Sequence, residues 1–131
     1  MLVVVGNCVL VHLATQFVLS HPGSRAVSCG QTDIVGFVSS NAVDLVLFDI
    51  DSSLLAGFAL AAHVRAADRA RNAREYTVLV AATSSECKYL DCLVGGSAIN
   101  DALKMPCDGL QFADRVDLWC PVVARRVGSC R

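Results

Sequence analysis

The sequence lacks the features that mark a disulfide-stabilised, zinc-binding or nucleic-acid-binding protein. Its 131 residues include seven cysteines, an odd number without any Cys-x-x-Cys pair, which argues against a disulfide framework and a zinc site. Eleven basic and twelve acidic residues give a formal net charge of −1, so composition gives no argument for nucleic acid or an anionic membrane as a ligand. We therefore expect reduced, mostly buried cysteines and no metal held by Cys or His.

Charged and aromatic residues are scarce, at 18% and 6%, whereas hydrophobic residues make up 54%. This composition suits one domain with a single well-buried core. Residues 2–19 are largely apolar, but no basic segment precedes them, and Asn7, His12, Thr15 and Gln16 interrupt the run. The interruptions predict a strand and a soluble helix here, and argue against a signal or membrane segment.

Apolar runs and helical patterns alternate along the chain with short connections. The runs predict strands over residues 2–5, 25–29, 45–48, 77–82 and 98–103. Helical spacing and capping residues predict helices over 8–20, 33–40, 54–73, 86–94 and 109–120. Uniformly apolar strands are typical of parallel sheets buried on both faces. The pattern therefore predicts an α/β domain, a doubly wound, five-stranded parallel sheet between two helical layers.

Two acidic residues follow the third predicted strand. Asp49 ends the run Leu45-Val46-Leu47-Phe48-Asp49, and Asp51 comes two residues later. Working groups in open parallel sheets lie just beyond the carboxyl ends of the strands. Asp49 is therefore a candidate functional carboxylate, although a role as a cap for the following loop is an equal alternative.

These residues resemble the receiver domain of two-component response regulators and hybrid histidine kinases. The resemblance covers about residues 2–119 and rests on the run ending in Asp49, Gly57 eight residues later, the strand ending in the hydroxyl of Thr83, and Pro106. It implies a flavodoxin-like fold with strand order 2-1-3-4-5 and Asp49 as the phosphoacceptor. It also implies that Thr83 follows the phosphoryl group and that the Met105–Pro106 bond is a cis candidate.

The sequence departs from the receiver pattern where the family has its other functional residues. The family's acidic pair falls on Gly6 and Asn7, its lysine on Met105 and its switch aromatic on Ala102. Lys104 is adjacent to the lysine position, but a one-residue offset in a strand turns a side chain to the opposite face. Asp49, Asp51 and Asn7 remain as weak candidate ligands for Mg²⁺. For Asp51 the favoured interpretation is a solvated loop acid.

Resemblance and departures together predict a pseudo-receiver of a hybrid sensor kinase or an atypical response regulator. It would bind Mg²⁺ weakly or not at all and would act by protein–protein recognition, without enzymatic activity. The expected partners are a histidine kinase, a phosphotransfer protein, other domains of the same chain or a second copy in a homodimer. Recognition would use the first helix, or the last two helices and the fifth strand. The expected location is the cytoplasm, as a free protein or within a membrane-bound sensor kinase.

Two alternatives stay open. In a conventional receiver, a His-phosphate donor would phosphorylate Asp49 with the help of Mg²⁺. A flavodoxin-like binding or enzymatic domain is less favoured, because Gly6-Asn7-Cys8 lacks the glycines and hydroxyls of a phosphate-binding loop.

Three further expectations concern the second half of the chain. A receiver-like domain is predicted over residues 1–120, with 121–131 as a helix end or linker, because Pro121 should kink or end the last helix. The basic end of the third predicted helix, with Arg65 and Arg69 on one face, is interpreted as solvated. Trp119 is expected in the core, with an interface role as the alternative.

Overall fold

The computed structural model describes residues 2–6, 8–41, 43–51, 54–71, 77–84 and 99–129, with side chains left out at 54 and 120–129. The described elements, in chain order, are β1 (Leu2–Val5), α1 (Cys8–Ser20), β2 (Ala26–Cys29), α2 (Ile34–Ser40), β3 (Leu45–Asp49), α3 (Leu54–Ala70), β4 (Val78–Thr83), β5 (Asp101–Lys104) and α4 (Gly109–Ser129). The predicted helix over 86–94 lies outside the described residues.

The five strands form one parallel sheet in the order β2-β1-β3-β4-β5. The three inner strands are apolar almost throughout, and all their residues are buried except Asp49. A strand that is buried on both faces needs a covering layer on each face of the sheet. Parallel sheets are typically enclosed in this way. The predicted α/β class, doubly wound arrangement and 2-1-3-4-5 order are confirmed.

The core consists of two apolar clusters, one on each face of the sheet. Successive residues of a strand point to opposite faces, so Val46 and Phe48 lie in one cluster and Leu45 and Leu47 in the other. Residues of α2 and α3 complete the first cluster, and residues of α1 and α4 complete the second. The sheet is thus the middle of three layers.

Most predicted helix ends agree with the structure, but two differ. Asp108 and Gln111 form a reciprocal cap before α4, because each backbone N–H donates to the other's side chain, at 3.0 and 2.8 Å. Asp33 holds the cap position of α2 without a side-chain cap bond, since its backbone is already helical. Of the two alternatives for Pro121, an end of the last helix does not occur, because α4 continues to Ser129.

Three cysteines with described side chains lie nearer the surface than expected. Cys8 is exposed, and Cys29 and Cys107 are half-buried. The prediction of mostly buried thiols is therefore wrong for these three, since Cys8 stands in the first turn of α1 and Cys107 in the loop before α4. Trp119, in contrast, is buried as predicted, and its indole N–H donates to Asp101 at 2.8 Å. Within the described part of the chain, no helix combines the length and apolar character needed to cross a membrane.

A buried polar network ties α3 to the beginnings of β4 and β5. Asp68 is fully buried and accepts hydrogen bonds from Arg65, Arg71 and both the N–H and the hydroxyl of Thr77. Arg65 also donates to the Thr77 carbonyl at 2.5 Å and to Asn100 at 2.6 Å. The solvated interpretation of Arg65 is wrong, because acceptors distant in sequence hold its guanidinium in the interior.

We expect Asp68→Asn to lower the free energy of unfolding by about 3 kcal/mol, because it leaves the buried Arg65 without its counter-charge. Chemical denaturation, followed by circular dichroism, would measure the change. Asp117→Asn is the matched control, because Asp117 is an exposed helical aspartate, and there we expect a change within about 0.5 kcal/mol. Equal effects of the two substitutions would contradict the structural role of Asp68.

Candidate functional site

The carboxyl end of β3 places Asp49 at the edge of the sheet where a functional carboxylate was predicted. Asp49 is half-buried, and its Oδ1 accepts the backbone N–H of Asp51 at 2.8 Å. Between them, the N–H of Ile50 donates to the carbonyl of Ala82 at 3.0 Å. An aspartate that binds the backbone N–H two residues later forms a turn. This turn directs the chain from β3 toward the end of β4.

The carboxylate of Asp51 is bound by two consecutive residues at the end of β4. Its Oδ1 accepts the hydroxyl of Thr83 at 2.5 Å. Its Oδ2 accepts the N–H of Ser84 at 2.8 Å and the hydroxyl of Ser84 at 2.6 Å. The hydrogen bond from the Ser84 hydroxyl, then those from Thr83 and the Ser84 N–H, hold the pKa of Asp51 below its usual value. Asp51 is exposed, as expected for a loop acid, but its carboxylate is also held by Thr83 and Ser84, which the sequence interpretation did not include.

Asp49 and Thr83 lie at the same edge because β3 and β4 are adjacent. In the parallel register Asp49 is opposite Ala82, so Thr83 is one residue further along the neighbouring strand. Thr83 is 1% exposed, and a buried hydroxyl requires a hydrogen-bond partner. Asp51 connects the two predicted site residues, since its N–H binds Asp49 and its carboxylate binds Thr83.

The end of β1 brings no carboxylate to this edge within the described residues. Gly6 has a φ of +63°, in the left-handed region that favours glycine, and it is exposed. Together with Asp49, Gln31 and Gly57, among others, it lines a small cavity of about 120 Å³. Asn7, the third weak Mg²⁺ candidate, lies outside the described residues.

The end of β5 has its only lysine on the face away from the expected position. Leu103 and Met105 both pack against the cluster under α1 and α4. Lys104, between them, is exposed and stands opposite Thr83 in the register. Alternation along the strand therefore places Lys104 on the opposite face from Leu103 and Met105. The predicted cis peptide bond at Met105–Pro106 is confirmed.

Gly57 keeps the start of α3 close to β3. A Cβ atom at this position would lie 2.9 Å from Cγ2 of Ile50 and 3.3 Å from Cε2 of Phe48. Contacts under 3.0 Å require displacement of the neighbouring atoms, so a larger residue would push α3 away from the strand. The landmark that the sequence shares with receivers thus has a packing role beside Asp49.

Among the residues that the structure describes, few at this edge offer the oxygen ligands that an octahedral Mg²⁺ shell requires. No group of three or more His, Cys, Asp or Glu side chains among the described residues is arranged to hold a metal ion. Of the predicted ligands, Asp49 binds the N–H of Asp51, and both carboxylate oxygens of Asp51 are bound by Thr83 and Ser84. The described carboxylates of this edge therefore take part in hydrogen bonds to the loop and to the end of β4.

Ser84 is the residue of this site that the sequence interpretation missed. In the sequence, Ser84 or Ser85 is a candidate cap for the predicted helix over 86–94, which gives Ser84 no role beside Asp51. A pairing signal exists, because acids after β3 and hydroxyls after β4 must emerge at one edge of a parallel sheet. Asp51 accordingly accepts hydrogen bonds from both Thr83 and Ser84.

Comparisons with known proteins find similarity at the level of structure. No protein-family model and no curated protein matches this sequence. The Saccharomyces cerevisiae Ssk1 receiver domain, crystallised with the histidine phosphotransfer protein Ypd1, aligns with a TM-score of 0.73 and 18% identity, over 90% of this chain and 86% of that one. The response regulatory domain of mrkE from Klebsiella pneumoniae aligns with a TM-score of 0.69 and 14% identity, over 95% and 99%. The chain thus has the fold of response regulator receiver domains.

We expect Asp51→Asn to lower the free energy of unfolding at neutral pH by about 1 kcal/mol, because a charged acceptor binds donors more strongly than a neutral one. The effect is no larger because Asp51 is exposed to solvent, which screens its charge. The pKa of Asp51 is lower in the folded than in the unfolded chain. Its contribution is therefore complete above the unfolded value of about 3.9 and is lost as pH falls through the folded pKa.

Denaturation of the wild type and Asp51→Asn across acidic pH would measure this contribution. We expect the stability difference to shrink toward zero as the pH falls below about 4. Asp117→Asn again provides the control, as an exposed carboxylate on a different element. A difference between wild type and Asp51→Asn that is constant over this range would contradict a charged role for Asp51.

Proposed function

We propose that this chain is a receiver-like signalling domain of a two-component phosphorelay, and specifically a pseudo-receiver that acts through protein–protein recognition. The observation that carries the proposal is the site at the end of β3. Asp49 is present, but the end of β1 offers Gly6, the lysine position holds Met105, and the Thr83 hydroxyl binds the chain's own Asp51. The fold is that of a receiver, whereas its charged groups favour a docking module without enzymatic activity.

The partner class follows from the same comparison. The Ssk1 receiver domain was crystallised with a histidine phosphotransfer protein, which supports a phosphotransfer protein or a histidine kinase as the partner of this chain. Other domains of the same chain, as in a hybrid sensor kinase, or a second copy in a homodimer are alternative partners. The net charge of −1 gives no support to nucleic acid. A cytoplasmic location fits these partners.

The surface between α1 and the beginning of α4 supports recognition of such a partner. Leu19 and Leu110 are each 80% exposed and flank a groove of about 790 Å³, with Phe17 and His21 among its other lining residues. The His21 ring stacks on Phe17 in the wall of the groove, with ring centroids 3.9 Å apart. Exposed leucines beside a groove are typical of a site for a helix of another protein.

The second candidate function is that of a conventional receiver. Asp49 stands half-buried at the carboxyl end of β3, and Thr83 ends the next strand, as this function requires. Phosphorylation would then need Mg²⁺, for which this edge provides few ligands. We therefore infer weak or absent Mg²⁺ binding.

Incubation with a small phosphodonor and Mg²⁺ would test the two candidates. We expect intact-mass spectra of the wild type to show little or no phosphoryl adduct, because the described residues around Asp49 include few ligands for the cation that neutralises charge on the acceptor. Isothermal titration calorimetry with Mg²⁺ should show no binding below millimolar concentrations. Dissociation constants on the order of 1 mM are typical of weak cation sites with oxygen ligands.

The controls for this assay are Asp49→Asn and a conventional receiver with an intact acidic pair, treated in the same way. The conventional receiver must be labelled, which shows that the donor works. An adduct that forms on the wild type and disappears in Asp49→Asn would contradict the pseudo-receiver proposal and support the conventional one.

Leu19→Lys and Leu110→Lys should weaken partner binding about tenfold each, because each replaces an exposed apolar contact with a charge. Titration calorimetry with purified phosphotransfer proteins and kinase phosphotransfer domains of the source organism would measure the affinities. Leu55→Lys is the matched control, because Leu55 is 81% exposed on α3. If only Leu55→Lys lost binding, the docking surface would lie on α3 and not beside Leu19 and Leu110.

A further inference from the structure

The sheet has two edge strands, and at β5 side chains bind the backbone of the edge. The N–H of Ala102 donates to the side chain of Asp101 at 2.8 Å, and the carbonyl of Ala102 accepts a hydrogen bond from Arg115 at 3.2 Å. The strand begins and ends in charged residues, Asp101 and Lys104, and Pro106 follows it. Charges, proline and covered backbone groups keep an edge strand from pairing with another chain.

β2, the other edge strand, has two residues whose backbone groups point away from the sheet. The N–H of Leu2 donates to the carbonyl of Arg25 at 2.7 Å, and Leu2 stands opposite Ala26 in the register. In a parallel ladder, alternate residues of a strand direct both backbone groups to the same neighbour. Arg25 and Val27 therefore face β1, whereas Ala26 and Ser28 face outward. Among the residues that the structure describes, none forms a hydrogen bond with these outward groups.

β2 also lacks the features that protect β5. Its four residues, Ala26–Cys29, carry no charge and include no proline. Ser28 is exposed, and the other three are half-buried. An edge strand with open backbone groups and uncharged side chains is a template for pairing with another strand.

We propose that β2 pairs with β2 of a second copy of this chain, antiparallel and across a two-fold axis, so that the two sheets join into one. Only outward-facing residues can exchange hydrogen bonds across this edge, so Ala26 of each copy stands opposite Ser28 of the other. The inference goes beyond the proposed function, because it involves neither Asp49 nor the groove between α1 and α4.

The turns on either side of β2 select this register. A shift of the two-fold axis by one residue would bring Ser24 or Gly30 into the pairing. The N–H of Ser24 already donates to the carbonyl of His21 at 3.2 Å, and the carbonyl of Gly30 already accepts the N–H of Asp33 at 3.0 Å. Pairing centred on Val27 therefore uses the backbone groups that are open within the described chain.

The charges at the two ends of β2 favour a second copy as the partner. Arg25 directly before the strand and Asp33 shortly after it are both exposed. A carboxylate oxygen of Asp33 lies 3.2 Å from where a Cβ atom on Gly30 would stand, so this acid is beside the end of the strand. In the antiparallel pair, Arg25 of each copy stands opposite Cys29 of the other, next to Gly30. The two-fold axis thus creates two matching pairs of opposite charge.

Sedimentation equilibrium of the full chain, over a range of concentrations, tests the inference with charge-reversed variants. The wild type should form a dimer. Arg25→Glu and Asp33→Lys should each weaken it about tenfold, because each places like charges together in both symmetric pairs. The double variant should recover most of the loss, because it restores both pairs with the signs exchanged.

The variants are chosen to leave the fold intact. Both residues are exposed, and Asp33 forms no side-chain cap bond at the start of α2. Arg69→Glu is the matched control, because Arg69 is an exposed arginine on α3, and it should dimerise like the wild type.

Amide hydrogen exchange of the wild type, followed by NMR, distinguishes pairing through β2 from any other dimer. A group that is paired nine-tenths of the time exchanges about tenfold more slowly, so the amides of Ala26 and Ser28 should slow by at least this factor when the dimer predominates. The amide of Val27 faces β1 in both states and should change little.

The inference is overturned if the wild type stays monomeric at every concentration, or if it dimerises without protection of the Ala26 and Ser28 amides. It is also overturned if the double variant dimerises no better than the single ones. Protection that appears only when a phosphotransfer protein is added would overturn it too, because the edge would then bind a strand of that protein and not a second copy.

Discussion

The parallel pairing of β3 with β4 is the constraint on which both the core and the site depend. The register runs from Leu45 opposite Val78 to Asp49 opposite Ala82. Both strands are buried on their two faces, so a slip by one residue would turn every side chain toward the wrong cluster. The pairing that buries these apolar residues also brings the loop after β3 next to the end of β4. Asp51 meets Thr83 and Ser84 as a consequence of core packing.

At the other end of the strands, where β4 and β5 begin, a network of charged side chains holds the sheet to α3. Asp68 is fully buried between Arg65 and Arg71, and the network reaches Thr77 before β4 and Asn100 before β5. A buried carboxylate is tolerated only when such partners compensate its desolvation. Because Asp68 is on α3, the network also sets the position of that helix, whose first turns carry Gly57 against Phe48 and Ile50. α3 therefore contacts the sheet at both ends of the strands, near Asp49 and at the buried polar network.

The strands and the positions of the site were predictable, whereas the contacts within the site were not. Apolar runs that end in Asp49 and Thr83 predict buried parallel strands, and adjacent parallel strands end at one edge. Whether Asp51 binds solvent, a metal or a hydroxyl depends on distances below 3 Å, which spacing along the chain does not specify. Arg65 shows the same limit, because its acceptors at Thr77 and Asn100 come from other elements.

Charge compensation explains why Asp51 and the missing receiver residues belong together. In a conventional receiver, a metal ion and a lysine offset the negative charge of the acceptor and its phosphoryl group. The resemblance assigns Gly6 and Met105 to two of the positions concerned, and Asp51 is balanced by hydrogen-bond donors at the end of β4. Those donors stabilise one carboxylate but supply no net positive charge to a second anion. A negative charge added at Asp49 would therefore stand beside a carboxylate that hydrogen bonds already hold in place.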